Sequence, residues 1–205
     1  MDTSHPRNKE LILLQIVYLY IVPVLLLYFG VIPPEFRIVM LAGIALLLYG
    51  ITRRARWTYE DLGIRRDLLK DIIPYALFTA GGIAFSVWLA HIVPHEPFLE
   101  WWENKRFLLL FIPVSVLQEI VFRGILMRLL GMAFANPYAI IILNAILFAL
   151  IHVIYSHSLF VLPFTFIGGI GFAWMYYRYP NLILISASHT ILNFTAMILG
   201  FFVLR

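Results

Sequence analysis

The sequence predicts an all-α protein, a polytopic transmembrane helical bundle of about seven spans. Three observations lead there. The 205 residues are 62% hydrophobic and only 13% charged, where soluble domains carry about 25% charged residues. The mean hydropathy is +0.92, which implies more apolar surface than a soluble domain of this size can hide. The apolar residues also fall in seven long runs, and a bilayer core of about 30 Å takes roughly 20 such residues as a helix. No alternating strand pattern occurs, so a transmembrane barrel is not expected. The same composition excludes a soluble enzyme, a disordered chain and a secreted disulfide scaffold. The absence of cysteine removes disulfides, thiolate metal sites and a cysteine nucleophile.

The first run, Leu11–Gly30, is too long for the apolar region of a signal peptide, and no small-residue cleavage site follows it. Val31-Ile32-Pro33-Pro34 turns the chain into the second and shortest run, Phe36–Thr52. Segment Trp57–Asp71 is polar. It is expected either as a short interfacial helix, with Leu62, Ile64, Leu68 and Leu69 dipping into lipid, or as a connecting loop. The third run, Ile72–Val93, closes at Pro94-His95-Glu96-Pro97, and the fourth is Phe107–Leu130. Asn136-Pro137 opens the fifth, Pro137–Tyr155. The sixth, Leu159–Tyr177, contains Gly168-Gly169-Ile170-Gly171, read as close helix packing. Pro180-Asn181 precedes the seventh, Leu182–Leu204.

The net charge is +4, but the basic residues sit in short loops, so nucleic acid is not an expected partner. Arg53, Arg54, Arg56, Arg65, Arg66 and Lys70 all lie between the second and third runs, and Arg7, Lys9, Arg128 and Arg178 fall on the same side. The opposite side holds Arg37, Lys105, Arg106 and Arg205. The N-terminus is therefore expected in the cytoplasm. The expected setting is multi-pass, in a prokaryotic cell membrane.

Polar groups inside spans are costly unless paired, so they mark candidate functional sites. The first three runs hold few: Gln15, several tyrosine hydroxyls, Ser86 and His91. The last four hold a denser set: Ser115, Gln118, Glu119 and Arg123, then Asn144 and His152, then Ser186, Ser188, His189 and Asn193. This asymmetry divides one integral-membrane domain into scaffold spans (1–106) and a catalytic core (107–204). Glu119 and Arg123 are spaced i, i+4 in the favourable order for an ion pair. His189 and Asn193 share the same spacing and point the same way. His157 reads as an interface residue.

A carboxylate with an imidazole can activate water and then protonate a leaving amine. A second histidine and an asparagine can donate to a developing oxyanion. That combination is peptide hydrolysis. Glu119, His152 and His189 could instead hold zinc with an open water position. Membrane acid–histidine chains also serve as proton relays, but no internal repeat of the kind common in transporters is present. Other hydrolase patterns fail. His95-Glu96-Pro97-Phe98-Leu99 lacks the second histidine of H-E-x-x-H, and no G-x-S-x-G precedes a histidine partner.

Three motifs in order carry a family resemblance. Gln118-Glu119-Ile120-Val121-Phe122-Arg123-Gly124 resembles the EExxxR motif of the CPBP intramembrane proteases, which include CAAX-prenyl endopeptidases and bacteriocin-processing relatives. Phe148-Ala149-Leu150-Ile151-His152 resembles its FxxxH motif, and His189-Thr190-Ile191-Leu192-Asn193 its HxxxN motif. Leu62-Gly63-Ile64-Arg65 resembles a short segment that precedes that core.

The resemblance covers about half the chain. It implies a helical bundle with a cavity, glutamate-dependent and metal-free peptide hydrolysis, and a membrane-associated protein or peptide as substrate. It also exposes a departure. The family's base is the first glutamate of its pair, and here that position is Gln118, whose neutral amide cannot take a proton. Three explanations compete: a natural variant in which Glu119 serves as base, a Glu→Gln change that inactivates the protease, or a non-catalytic binding or immunity protein. The first is favoured. Glu119 would activate water oriented by Gln118, His152 would shuttle the proton, His189 and Asn193 would stabilise the oxyanion, and Arg123 would hold Glu119.

Overall fold

A computed structural model of the chain describes residues 9–93, 95–155 and 158–202. Arg7, Pro94, His157 and Arg205, given roles above, lie outside the described residues, as do the last residues of the seventh run. The described residues are all-helical, with no strand, and form seven rods. These are α1 (Lys9–Tyr28), α2 (Arg37–Arg54), α3 (Leu68–Ala90), α4 (Phe107–Ala133), α5 (Pro137–Leu150), α6 (Ser158–Arg178) and α7 (Leu182–Ile198). Each answers to one apolar run. The rods α1, α3, α4 and α6 are long and apolar enough to cross a membrane. Lipid gives the backbone no partner, so each run satisfies its N–H and C=O groups internally as a helix.

Asparagine starts three of the helices. Asn104 accepts from Phe107 N at the start of α4, Asn136 from Tyr138 N with Pro137 in the first turn of α5, and Asn181 from Leu184 N at the start of α7. Each side chain serves an N–H that has no carbonyl partner within its helix.

Two rods contain π turns, in which N–H groups bond five residues back. In α1 the turn is Val17–Ile21, where Val22 N reaches Val17 O. It lies just before Pro23, which has no N–H to give to the carbonyl one turn earlier. In α4 the turn is Ile120–Leu126, and Val121 through Leu126 are all buried. The core gathers here. Phe122, Ile125, Leu126, Leu129 and Leu130 of α4 meet Ile12, Ile16 and Tyr20 of α1, Phe148 of α5, Phe172 of α6 and Ile185 of α7.

The most extensive pairings are α5 with α6, α3 with α7, and α4 with α7. The glycine stretch in α6 does bring helices close. A Cβ at Gly169 would lie 3.1 Å from Ala145 Cα of α5, and one at Gly171 would lie 3.0 Å from the Phe78 ring of α3. The outer faces keep Leu77, Leu109 and Tyr138 largely exposed, as lipid contact requires.

One expectation is corrected, and one pair of alternatives is decided. The fifth run is helical only to Leu150. His152 therefore sits in the turn after α5 rather than inside a span. Its N–H bonds Ala149 O, and its Nδ1 lies 2.9 Å from Phe148 O, taking the carbonyl that a continued helix would use. At 14 residues, α5 is about 21 Å long, short of a full bilayer core.

Segment Trp57–Asp71 is not an interfacial helix. It holds one 3₁₀ turn, Glu60–Leu62, and docks on the ends of three rods before α3 begins at Leu68. Leu62 packs on the core instead of facing lipid, while Leu69 is exposed. Leu62 O accepts from Tyr176 OH, and Gly63 O accepts from Leu182 N. Gly63 has φ +71°, and a Cβ there would run into the Tyr176 ring, so glycine serves both the turn and the docking.

Asp61 secures this loop. Its carboxylate accepts from Thr58 N and pairs with Arg128 at 2.9 Å, while Arg128 also covers the Trp57 ring. The Thr58 hydrogen bond, then the Arg128 charge against opposing desolvation, holds the Asp61 carboxyl below its usual value. A folded value below the unfolded one stabilises above the unfolded pKa, about 3.9, and the benefit is lost as pH falls through the folded value. Protection of the Gly63 amide, its exchange rate relative to the intrinsic rate at the same pH, is therefore expected to hold at neutral pH and to fall only in acid below about pH 4. Asp61→Asn should abolish that acid step. If the step persists in the variant, Asp61 is not its source.

Candidate active site

The polar residues of α4, α5 and α7 converge, in two linked groups. The first is closed. Glu119 and Arg123 are both fully buried, with Arg123 Nη1 3.2 Å from Glu119 Oε1. His189 Nδ1 lies 2.6 Å from the same carboxylate oxygen. Arg123 Nη2 donates to Gly169 O of α6 at 3.4 Å, and the guanidinium lies 4.3 Å above the Phe148 ring and 5.3 Å from that of Phe172. A buried carboxylate is tolerable only with such a partner, and two aromatic faces add to the cation's stabilisation. His189 is wedged against the same two rings, at 5.6 Å and 4.9 Å between centroids.

The second group is open. A cavity of about 590 Å³ lies among α1, α2, α4 and α7, and Gln118, His152 and Asn193 all line it. A second cavity of about 420 Å³ lies among α3, α6 and α7, lined by His152, His189 and Asn193. The two share His152, Asn193 and Phe202. Both volumes are in the range of small-molecule and peptide side-chain sites. Arg37, Glu96 and Asn104 also line the larger cavity, and its remaining wall is largely apolar. Glu119 and Arg123 line neither cavity. Glu119 therefore stands behind His189, and Gln118 is the α4 motif residue that faces the open space.

Neighbours fix the orientation of each open residue. The His152 Nδ1 contact with Phe148 O makes Nδ1 an N–H donor, so that in the neutral imidazole Nε2 is the acceptor. The imidazole stacks on Tyr155 at 5.7 Å and meets Phe202 at a tilt at 5.8 Å, and the two partner rings also touch each other at 5.5 Å. Asn193 Nδ2 donates to Ser115 Oγ at 3.2 Å, and Ser115 Oγ donates to Phe111 O. That chain ties α7 to α4 and assigns the amide's orientation.

The other polar residues go elsewhere. Thr79 Oγ1 donates to Tyr75 O and accepts from Ser188 Oγ at 2.8 Å, which joins α7 to α3. Asn144 Nδ2 donates to Phe122 O. Ser86 lines the second cavity. Tyr155 and Phe202, which hold the His152 ring, carry no signal in the sequence because stacking partners follow no spacing rule.

Among the described residues, no three His, Asp or Glu side chains gather closely enough to hold a metal ion. Glu119, His152 and His189 thus do not form a zinc triad. Glu119 faces Arg123 and the Nδ1 of His189, while His152 turns its own Nδ1 to a backbone carbonyl.

Residues 100–195 match the family model described as Type II CAAX prenyl endopeptidase Rce1-like. The match takes in all three motifs, with Gln118, Glu119, Arg123, His152, His189 and Asn193, while Arg37, Glu96 and Phe202 of the cavity walls lie outside it. The resemblance drawn from the motifs agrees with this match: this part of an integral membrane chain is similar to an Rce1-like domain, whose family is a protease family. No curated protein matches the chain, and no solved structure matches it.

Proposed function

We propose that the chain is an intramembrane endopeptidase that cuts a membrane-associated protein or peptide, with the two imidazoles and two carboxamides around the shared cavities as its machinery. The observation that carries this reading is the placing of His152 and Asn193 on both cavities, with Gln118 on one side and His189 on the other. In a bilayer the basic loop after α2 would face the cytoplasm.

The steps follow from the groups. Gln118 orients a water. His152 Nε2 takes its proton as the oxygen attacks the scissile carbonyl carbon, and the carbonyl π electrons move to oxygen. Asn193 and an imidazolium form of His189 donate to that oxyanion. The tetrahedral carbon then expels the amine, which receives the proton from His152. Glu119 acts through His189: its carboxylate holds the Nδ1 edge and leaves Nε2 for the cavity. Arg123 compensates the charge of Glu119.

The test is cleavage of membrane-anchored reporter peptides, lipidated and unlipidated, by the full chain in vesicles. His152→Ala is expected to lower the rate about a hundredfold, the modest end of general-base effects. Unchanged cleavage in that variant would defeat this assignment. A second reading is favoured by one observation: the α4 motif side chain on the larger cavity is the neutral amide of Gln118. In that reading the cavity binds a membrane polypeptide without cutting it. Saturable binding of the reporters with no cleavage would support it.

A further inference from the structure

We propose that Tyr20 and Asn144 are positioning residues for the α4 site: their buried donors hold two carbonyls of the π turn, and that turn decides which α4 residue faces the larger cavity. The proposal rests on reading Gln118 as the α4 residue that belongs in that cavity. Tyr20 OH donates to Val121 O at 2.8 Å, and Asn144 Nδ2 donates to Phe122 O at 2.8 Å. Tyr20 is 3% exposed and Asn144 fully buried, so neither donor has water as an alternative.

A π turn carries one residue more than an α turn. Each residue turns an α-helix by about 100°. Residues on one side of the turn are thereby rotated relative to those on the other. The part after the turn is held by Leu129 and Leu130 in the core, and the part before it by the polar contacts of Ser115 with Asn193 and of Glu119 with His189, which form only in the phase that the π turn sets. If the turn relaxed to α, the part before it would rotate, and Gln118 would leave the cavity wall. Carbonyls in a π turn are less well served by their own helix, and an added side-chain donor favours that turn over its α alternative. Phe122 O has both kinds of partner, Met127 N five residues on and the Asn144 amide.

Both clamps come from other rods. Tyr20 belongs to the π turn of α1, and its ring meets Phe122 edge-on at 5.5 Å. Asn144 Oδ1 is buried with no partner. The amide is thus present for its donor, and a leucine of similar volume would fill the position without leaving an acceptor unpaired.

The chain has no cysteine, which permits a test that needs no substrate. Gln118→Cys supplies a single thiol, and its modification by a water-soluble thiosulfonate is timed in the full chain in detergent. Tyr20→Phe with Asn144→Leu is expected to slow that modification about tenfold, as the thiol turns from water to packing. Leu117→Cys, tested the same way, is expected to change in the opposite sense or not at all. An unchanged rate at position 118 would overturn the proposal. Should the double variant lose its compact elution, Tyr20→Phe alone decides. It removes one oxygen, and a slowing at position 118 supports the proposal while an unchanged rate rejects it.

Because the thiol rate is read without cleavage, the result stands apart from the peptidase assignment. With a cleavable reporter, the same two substitutions in the Gln118 chain should lower kcat and leave KM in place. A merely structural role would lower the amount of folded protein and leave kcat per folded molecule unchanged.

Discussion

Gln118→Glu is expected to raise peptide hydrolysis by two to four orders of magnitude, the usual reach of a well-placed general base. The wild-type amide faces a cavity of about 590 Å³ together with His152 and Asn193. It can orient water but cannot take its proton. A carboxylate of nearly the same shape supplies a second, stronger acceptor beside His152 without repacking. It would also stand one residue from Glu119. That carboxylate is already engaged by Arg123 and His189, so the new charge meets a neighbour that is largely compensated. The measurement is the cleavage rate of one reporter peptide by both chains in the same vesicles, with binding measured alongside. If the glutamate chain binds the reporter and leaves it whole, the hydrolase reading fails and the binding reading is left standing.

Arg123→Met is expected to cost about 3–5 kcal/mol of stability, the loss seen when one partner of a buried ion pair is removed. Both side chains are fully buried. The variant leaves the Glu119 carboxylate in the core without its guanidinium, and it removes the cation from between Phe148 and Phe172. A companion variant separates charge from packing. Glu119→Gln with Arg123→Met has no buried charge at the pair and should recover most of the loss, because a neutral amide is far cheaper to bury. Unfolding in detergent, followed by tryptophan emission, measures both. A loss below about 1 kcal/mol for the single variant would place this pair with weak surface pairs and remove the account of why Arg123 is in the core.

The contrast between these two variants shows where the sequence was legible. The spacing of Glu119 and Arg123 announced an ion pair on one helix face, and that pair is present. Spacing could not say which side of α4 would face open space. A helix wheel treats the rod as uniform, whereas α4 contains a π turn next to these residues that shifts the phase between its halves. The sequence reading accordingly gave the direct contact with water to Glu119, while the structure puts Glu119 behind His189 and Gln118 on the cavity. His152 is a similar case. Hydropathy carried its run on to Tyr155, whereas the helix ends at Leu150 and the imidazole takes the Phe148 carbonyl that a further turn would use.

By itself, the amino-acid order determined the class of the molecule: seven apolar runs, seven rods, and a polar set concentrated in the last four. Burial in lipid leaves a long apolar run little choice but a helix, so one-dimensional information is enough for that. Which polar groups share a cavity, which are sealed behind it, and how the loop after α2 docks by Gly63 and Asp61 were decided only in three dimensions. Those outcomes depend on the angle at which each rod meets its neighbours. That angle is set by contacts such as Tyr20 with Val121 O and Gly169 with Ala145, between residues too far apart in the chain for any local pattern to record them.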